Sequence, residues 1–114
     1  MNKSFAYLNK NEEQALRQFV SVIKEKLKDQ LVELRLFGSK VRGNSYSDSD
    51  IDILIILKER KGAIIDTLYQ ELLDVELEYD SKISLTLFSE SEYIRNIEAH
   101  TPFVEALASE GVRL

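Results

Sequence analysis

LFGSKVRGNSYSDSDIDILIIL, residues 36–57, is the stretch on which the rest of the chain is organised. An apolar segment runs into Gly38-Ser39, a basic turn carries Arg42 and Gly43, and Asp50 and Asp52 open a second, strongly apolar segment. The run Ile51, Ile53, Leu54, Ile55, Ile56 and Leu57 is β-branched and of strand length, bounded by Ser and Asp, so it reads as a strand with both aspartates at its start. Side chains alternate along a strand, which predicts the two carboxylates on one face, one pleat repeat apart. Two anions held that close repel each other. A hard cation with oxygen ligands removes the conflict, and Mg²⁺ commonly takes one or two carboxylates together with substrate phosphates.

At the other end of the stretch, Leu34, Leu36 and Phe37 lead into Gly38, where the missing Cβ allows close backbone approach. Ser39 is expected to cap a short helix starting near Lys40, and the amides of such a turn favour an anion. Arg42 can add a charge-assisted contact, or pair only with Asp48 as a surface contact of little energetic weight. If the turn lays the second strand beside the first, an anion site and a cation site face each other.

Gly38-Ser39, then Arg42-Gly43, then Ser49-Asp50-Ile51-Asp52, set between two apolar strands, resembles the signature of the minimal nucleotidyltransferases of the polymerase-beta-like superfamily. The resemblance implies an α+β fold, a small mixed β-sheet packed by helices. It implies that Asp50 and Asp52 hold Mg²⁺, or Mn²⁺, and act in catalysis, while Gly38, Ser39, Arg42 and Gly43 bind the nucleotide. ATP is the implied donor. The implied partner is a helical protein of the HEPN type (higher eukaryote and prokaryote nucleotide-binding), toward which minimal members act as antitoxins, some by adding AMP to a tyrosine. Complete members commonly carry a third carboxylate on the strand after the second long helix. Alternation aligns Ser84 there, which is not acidic. Either Asp80 substitutes, with Glu76 and Glu78 as poorer candidates, or activity is reduced or absent. In the second case the chain neutralises its partner by binding alone.

The 114 residues suit one domain spanning 1–114. With 44% hydrophobic and 31% charged residues the composition is that of an ordinary globular protein. The absence of cysteine excludes disulfides and thiolate chemistry, and the single histidine excludes a histidine-rich metal site. A net charge of −5 argues against sequence-independent binding of a long nucleic acid. No apolar run approaches the roughly 20 residues of a membrane span, and no signal-peptide pattern opens the chain, so a cytoplasmic location is expected.

Elsewhere, Leu16, Phe19, Val20, Ile23 and Leu27 recur at helical spacing between Asn9 and Asp29, with Asn9 and Glu12 as a capping box. Leu31 to Phe37 reads as the first strand. Residues 58–62 form a charged turn, whose Lys58, Arg60 and Lys61 are expected to be a solvated strand exit. A second long helix runs from Ala63 to about Leu77, its core stripe Ile65, Leu68, Leu72 and Leu73. Lys82 to Phe88 alternates as a half-exposed third strand. Ser89 with Glu92 caps a short helix whose apolar positions include Ile94 and Ile97. Thr101-Pro102 starts a last helix, expected to end at Gly111 in a Schellman turn with Val112 on Leu107.

Overall fold

Apolar alternation on three segments and helical periodicity on two long ones produce a helix-covered sheet in the computed structural model, which describes residues 7–42 and 50–114. The elements in chain order are α1 (Lys10–Leu27), a single 3₁₀ turn (Lys28–Gln30), β1 (Leu31–Phe37), α2 (Ser39–Arg42), β2 (Ile51–Leu57), α3 (Gly62–Tyr79), β3 (Ile83–Ser89), α4 (Glu90–Glu98), α5 (Pro102–Glu110) and β4 (Val112–Arg113). The sheet order is β3-β2-β1-β4. β1 runs antiparallel to both β2 and β4, and β3 lies parallel to β2 with α3 as the crossover. This is the mixed α+β architecture expected.

β2 is the centre of the molecule because it has apolar side chains for both faces. Ile51, Ile53, Ile55 and Leu57 point to one side, where Leu34 and Leu36 of β1, Leu16, Phe19 and Ile23 of α1, and Leu68, Leu72 and Val75 of α3 complete the main core. Leu54 and Ile56 point to the other, against Leu107 of α5 and a group of aromatic side chains. In that group Phe37 and Phe103 meet edge to face with centroids 5.4 Å apart, a favoured geometry for two rings. Burying strand residues on both faces is usual for a strand with a parallel neighbour.

The helix ends follow the sequence signals. Asn9 and Glu12 form a complete capping box on α1, as do Ser89 and Glu92 on α4. The Ser89 backbone hydrogen bond, followed by the Arg60 guanidinium, holds the Glu92 carboxyl below its ordinary pKa. Thr101 caps α5, with Pro102 at its start. Lys26 of α1 reaches Glu71 of α3 at 2.5 Å, linking the two long helices across their exposed edge.

Three expectations need correction. Leu73 is half-exposed on α3, and Ile94 and Ile97 of α4 are exposed to a similar degree. Leu68, Leu72 and Val75 already lie along the buried line of α3, and Leu73 is turned about 100° from Leu72. The C-terminal end of α5 is not a Schellman turn. Gly111 has extended backbone (φ −67°, ψ 139°), and residues after it leave as β4, which pairs Arg35 with Arg113 and Leu36 with Val112. Glycine is required there for space, since a Cβ would stand 2.6 Å from the Leu107 carbonyl oxygen. Finally, Ser39 is the first residue of α2 and not a cap before it, with the Gly38 carbonyl accepting from the Val41 amide at 3.0 Å.

Candidate active site

The register of β1 on β2 assembles the site. Phe37 pairs with Asp52, so the residue after Phe37, where the chain leaves the sheet, lies beside the Asp52 side chain. That residue is Gly38, in the left-handed region at φ +83°. A Cβ placed on it would overlap Asp52 Oδ2 and stand 3.1 Å from its Cγ. The carboxylate therefore occupies the space that any side chain at position 38 would fill. Two things demand glycine here, a backbone conformation costly for other residues and an acid packed against the Cα.

Asp52 is half-buried and lies on the β2 face that carries Leu54 and Ile56, whereas Asp50 stands just before the strand and is exposed. The Ile51 amide between them donates to the Lys82 carbonyl at 3.0 Å, which fixes the strand entry to the start of β3. The parallel register then sets Ser84 directly opposite Asp52. Ser84 shares that face because Ile83 and Leu85 belong to the main core on the other side. Thus the position expected to supply a third acid is adjacent to Asp52, and it carries a hydroxyl.

The substitutes for that acid do not converge. Among the described residues, no group of three or more His, Cys, Asp or Glu side chains is arranged to hold a metal. Asp80 sits in the left-handed turn that ends α3, three residues before β3 begins, and Glu76 is committed to the Ile83 amide at 3.0 Å. Gly43 and Asp48 lie outside the described residues, as do the side chains of Ser39 and Arg42. The backbones of Ser39 and Arg42 form α2, next to Gly38.

One residue was missed by sequence reasoning. Lys40, marked by the sequence only as the place near which a short helix begins, is buried, and its Nζ lies 2.8 Å from Glu12 Oε2. Glu12 is the capping-box residue of α1, its Oε1 accepting from the Asn9 amide at 2.9 Å. Removing one partner of such a buried pair typically costs about 3–5 kcal/mol, because the other charge is left uncompensated. No pattern in the sequence announces the pair, since a lysine beside a serine in a turn reads as surface. The cluster Lys58, Arg60 and Lys61 emerges after Leu57, at the opposite end of β2 from Asp52, and Arg60 is paired with Glu92 at 2.7 Å. It is a solvated strand exit, as expected.

With this geometry in view, similarity to known proteins decides the family. A family model described as "Nucleotidyltransferase domain" matches residues 16–104. The chain belongs to the nucleotidyltransferase domain family. Among curated relatives, the Methanocaldococcus jannaschii protein named "Putative protein adenylyltransferase MJ0141" is 32% identical over 101 residues, covering 87% of this chain and 94% of that protein. Two further M. jannaschii proteins with the same designation, MJ0604 and MJ1305, are 46% and 38% identical over 46 and 64 residues. Those matches cover 40% and 56% of this chain, and the chain spans less than half the length of either relative, 46% and 43%. Solved nucleotidyltransferase-family structures share the fold. One described as "Structure of putative minimal nucleotidyltransferase" superposes with a TM-score of 0.53 at 22% identity, over 90% of this chain and 94% of the other. Another, described as "Crystal structure of the toxin-antitoxin with AMP-PNP", gives 0.52 at 16% identity, over 83% and 68%.

Within a nucleotidyltransferase domain, the chemistry of the donor set at Asp50 and Asp52 fits a hard divalent cation. Both donors are carboxylate oxygens, and Asp52 Oδ2 is pressed against the side-chain-free Cα of Gly38. No helix among the described residues is long and apolar enough to cross a membrane.

Proposed function

We propose that this chain is a Mg²⁺-dependent nucleotidyltransferase that moves AMP from ATP to a hydroxyl group of a protein, and that it serves as the antitoxin of a HEPN-type helical toxin. The observation that carries the reading is the Asp52 carboxylate lying against Gly38. It brings one acid of the pair against the glycine turn, which supports reading the two as parts of one site. The naming of relatives as "Putative protein adenylyltransferase", and a fold neighbour described as a toxin-antitoxin with AMP-PNP, support this choice of donor and setting.

Asp50 and Asp52 would hold the cation, which when bound offsets triphosphate charge and polarises phosphoryl oxygens. Gly38 lets the backbone of the turn come close to the terminal phosphates, with Ser39, Arg42 and Gly43 contributing donors and positive charge. The attacking hydroxyl oxygen forms a bond to the α-phosphorus as the bond to the departing pyrophosphate breaks. The hydroxyl proton passes to solvent, to which the Asp50 end of the site is open. Holding nucleophile and leaving group in line, with their charge offset, is the main contribution a protein makes to such a transfer.

The test is incubation of the purified protein with α-labelled ATP, Mg²⁺ and the product of any HEPN-type reading frame found beside its gene. Label is expected to appear on the partner. Asp50→Asn is expected to remove it, through the loss of one anionic ligand. Undiminished labelling by that variant would defeat the assignment.

A second reading rests on Ser84. With a hydroxyl opposite Asp52 and no third acid converging among the described residues, the domain would bind and neutralise its partner with little or no transfer. Ser84→Asp separates the two. If the missing acid limits the chemistry, the variant transfers label faster by about a hundredfold, the lower end of what a positioned acid or base contributes. An unchanged rate, with a partner complex that survives loss of both Asp50 and Asp52, selects the binding reading.

A further inference from the structure

Helix α2 has four residues, too few to hold its own shape in water. Something outside it must fix the turn that carries Gly38 and Ser39 beside Asp52. Lys40 is the residue of that turn which reaches inward. Its side chain is 3% exposed, and it ends on Glu12 Oε2. Glu12 is itself immobilised from two directions, its amide donating to Asn9 Oδ1 at 2.7 Å and its Oε1 accepting from the Asn9 amide. The first turn of an 18-residue helix thereby becomes the fixed point against which the turn is set. The positive charge nearest Gly38-Ser39 whose side chain is described is directed into the protein rather than toward a ligand.

We propose that Lys40 is a positioning residue, whose buried ion pair with Glu12 sets the placement of the Gly38–Arg42 turn and through it the affinity for the nucleoside triphosphate. This rests on the reading of that turn as the triphosphate-facing side of the site. An apolar side chain at position 40 would pack in the same space, but it would lack a directional bond that selects one placement of the turn. A buried ionic contact can serve as such a register device where it contributes little net stability.

Three variants test the proposal: Lys40→Met, Glu12→Gln, and both together. Glutamine preserves the helix cap, since it serves at the same capping-box position. Each single change leaves a group without its ionic partner and lowers the melting temperature. The double variant removes both charges with side chains of similar length and recovers most of that loss. Positioning predicts that the double variant, although folded, binds AMP-PNP in Mg²⁺ about tenfold to a hundredfold more weakly than wild type, the scale on which small misplacements act. KM for ATP rises with kcat changed much less. Wild-type affinity in the folded double variant overturns the proposal and leaves the functional reading standing. Failure of wild type to bind AMP-PNP overturns both. Should the double variant not fold, Glu12→Gln measured below its melting point gives the same discrimination, because it keeps the cap and Lys40 while removing the ionic bond.

Discussion

Replacing Asp52 by asparagine is expected to reduce nucleotidyl transfer about a thousandfold or more while the protein stays folded. Asparagine has the same shape, and the half-buried position on β2 is supported by Phe37 on one neighbouring strand and Ser84 on the other, so strand pairing is kept. What is lost is one of the two negative charges proposed to hold a cation, at the acid lying against the turn. Charge stabilisation by a bound metal is worth several kcal/mol at the transition state. A loss of about 4 kcal/mol corresponds to roughly a thousandfold in rate. The expected result is transfer of α-label reduced about a thousandfold or more, with a melting temperature within a few degrees of wild type. AMP-PNP binding should no longer respond to the addition of Mg²⁺. A variant retaining a tenth of the wild-type rate would remove Asp52 from the catalytic machinery.

Gly38→Ala is expected to injure the same site from the backbone side. Alanine at φ +83° costs about 1–2 kcal/mol, and its Cβ would overlap the Asp52 carboxylate. Either the turn moves away from β2 or Asp52 swings out of place, and each separates the two halves of the site. On a chain of this size a loss of about 2 kcal/mol lowers the melting temperature by roughly 8 °C. Activity should fall about a hundredfold or more even well below that temperature, because an ångström of misplacement is sufficient. Since asparagine at position 52 leaves the overlap in place, adding Asp52→Asn to Gly38→Ala should recover neither stability nor activity. Asp52→Gly in the Gly38→Ala background removes the clash and should recover part of the stability but no transfer. Full activity in Gly38→Ala would show that the close approach of turn and acid has no role.

Both predictions rest on a juxtaposition of residues fourteen positions apart. The sequence supplied each half with its local chemistry, and the antiparallel pairing of Phe37 with Asp52 brings them together. The same holds at Ser84. Alternation alone aligned it with the family's third acid, and the parallel register of β3 on β2 puts it across from Asp52. Periodicity was less informative on helix surfaces. Leu73, Ile94 and Ile97 fit an apolar pattern, yet the sheet and its neighbours can cover only one line of each helix, and these residues fall off it.

By itself the sequence determined β1, β2 and β3, because apolar or alternating runs of strand length leave few alternatives. It determined the starts of α1, α4 and α5, because Asn9, Ser89 and Thr101 satisfy amides one turn away, and the acidic pair, whose spacing is local. Tertiary structure alone decided the burial of Lys40 on Glu12, the return of Val112–Arg113 to the edge of β1, and the contact between Gly38 and Asp52. The reason is range. Caps and pleats are settled within a few residues, whereas an ion pair, an edge strand or a shared site depends on which distant surfaces the core has already brought together.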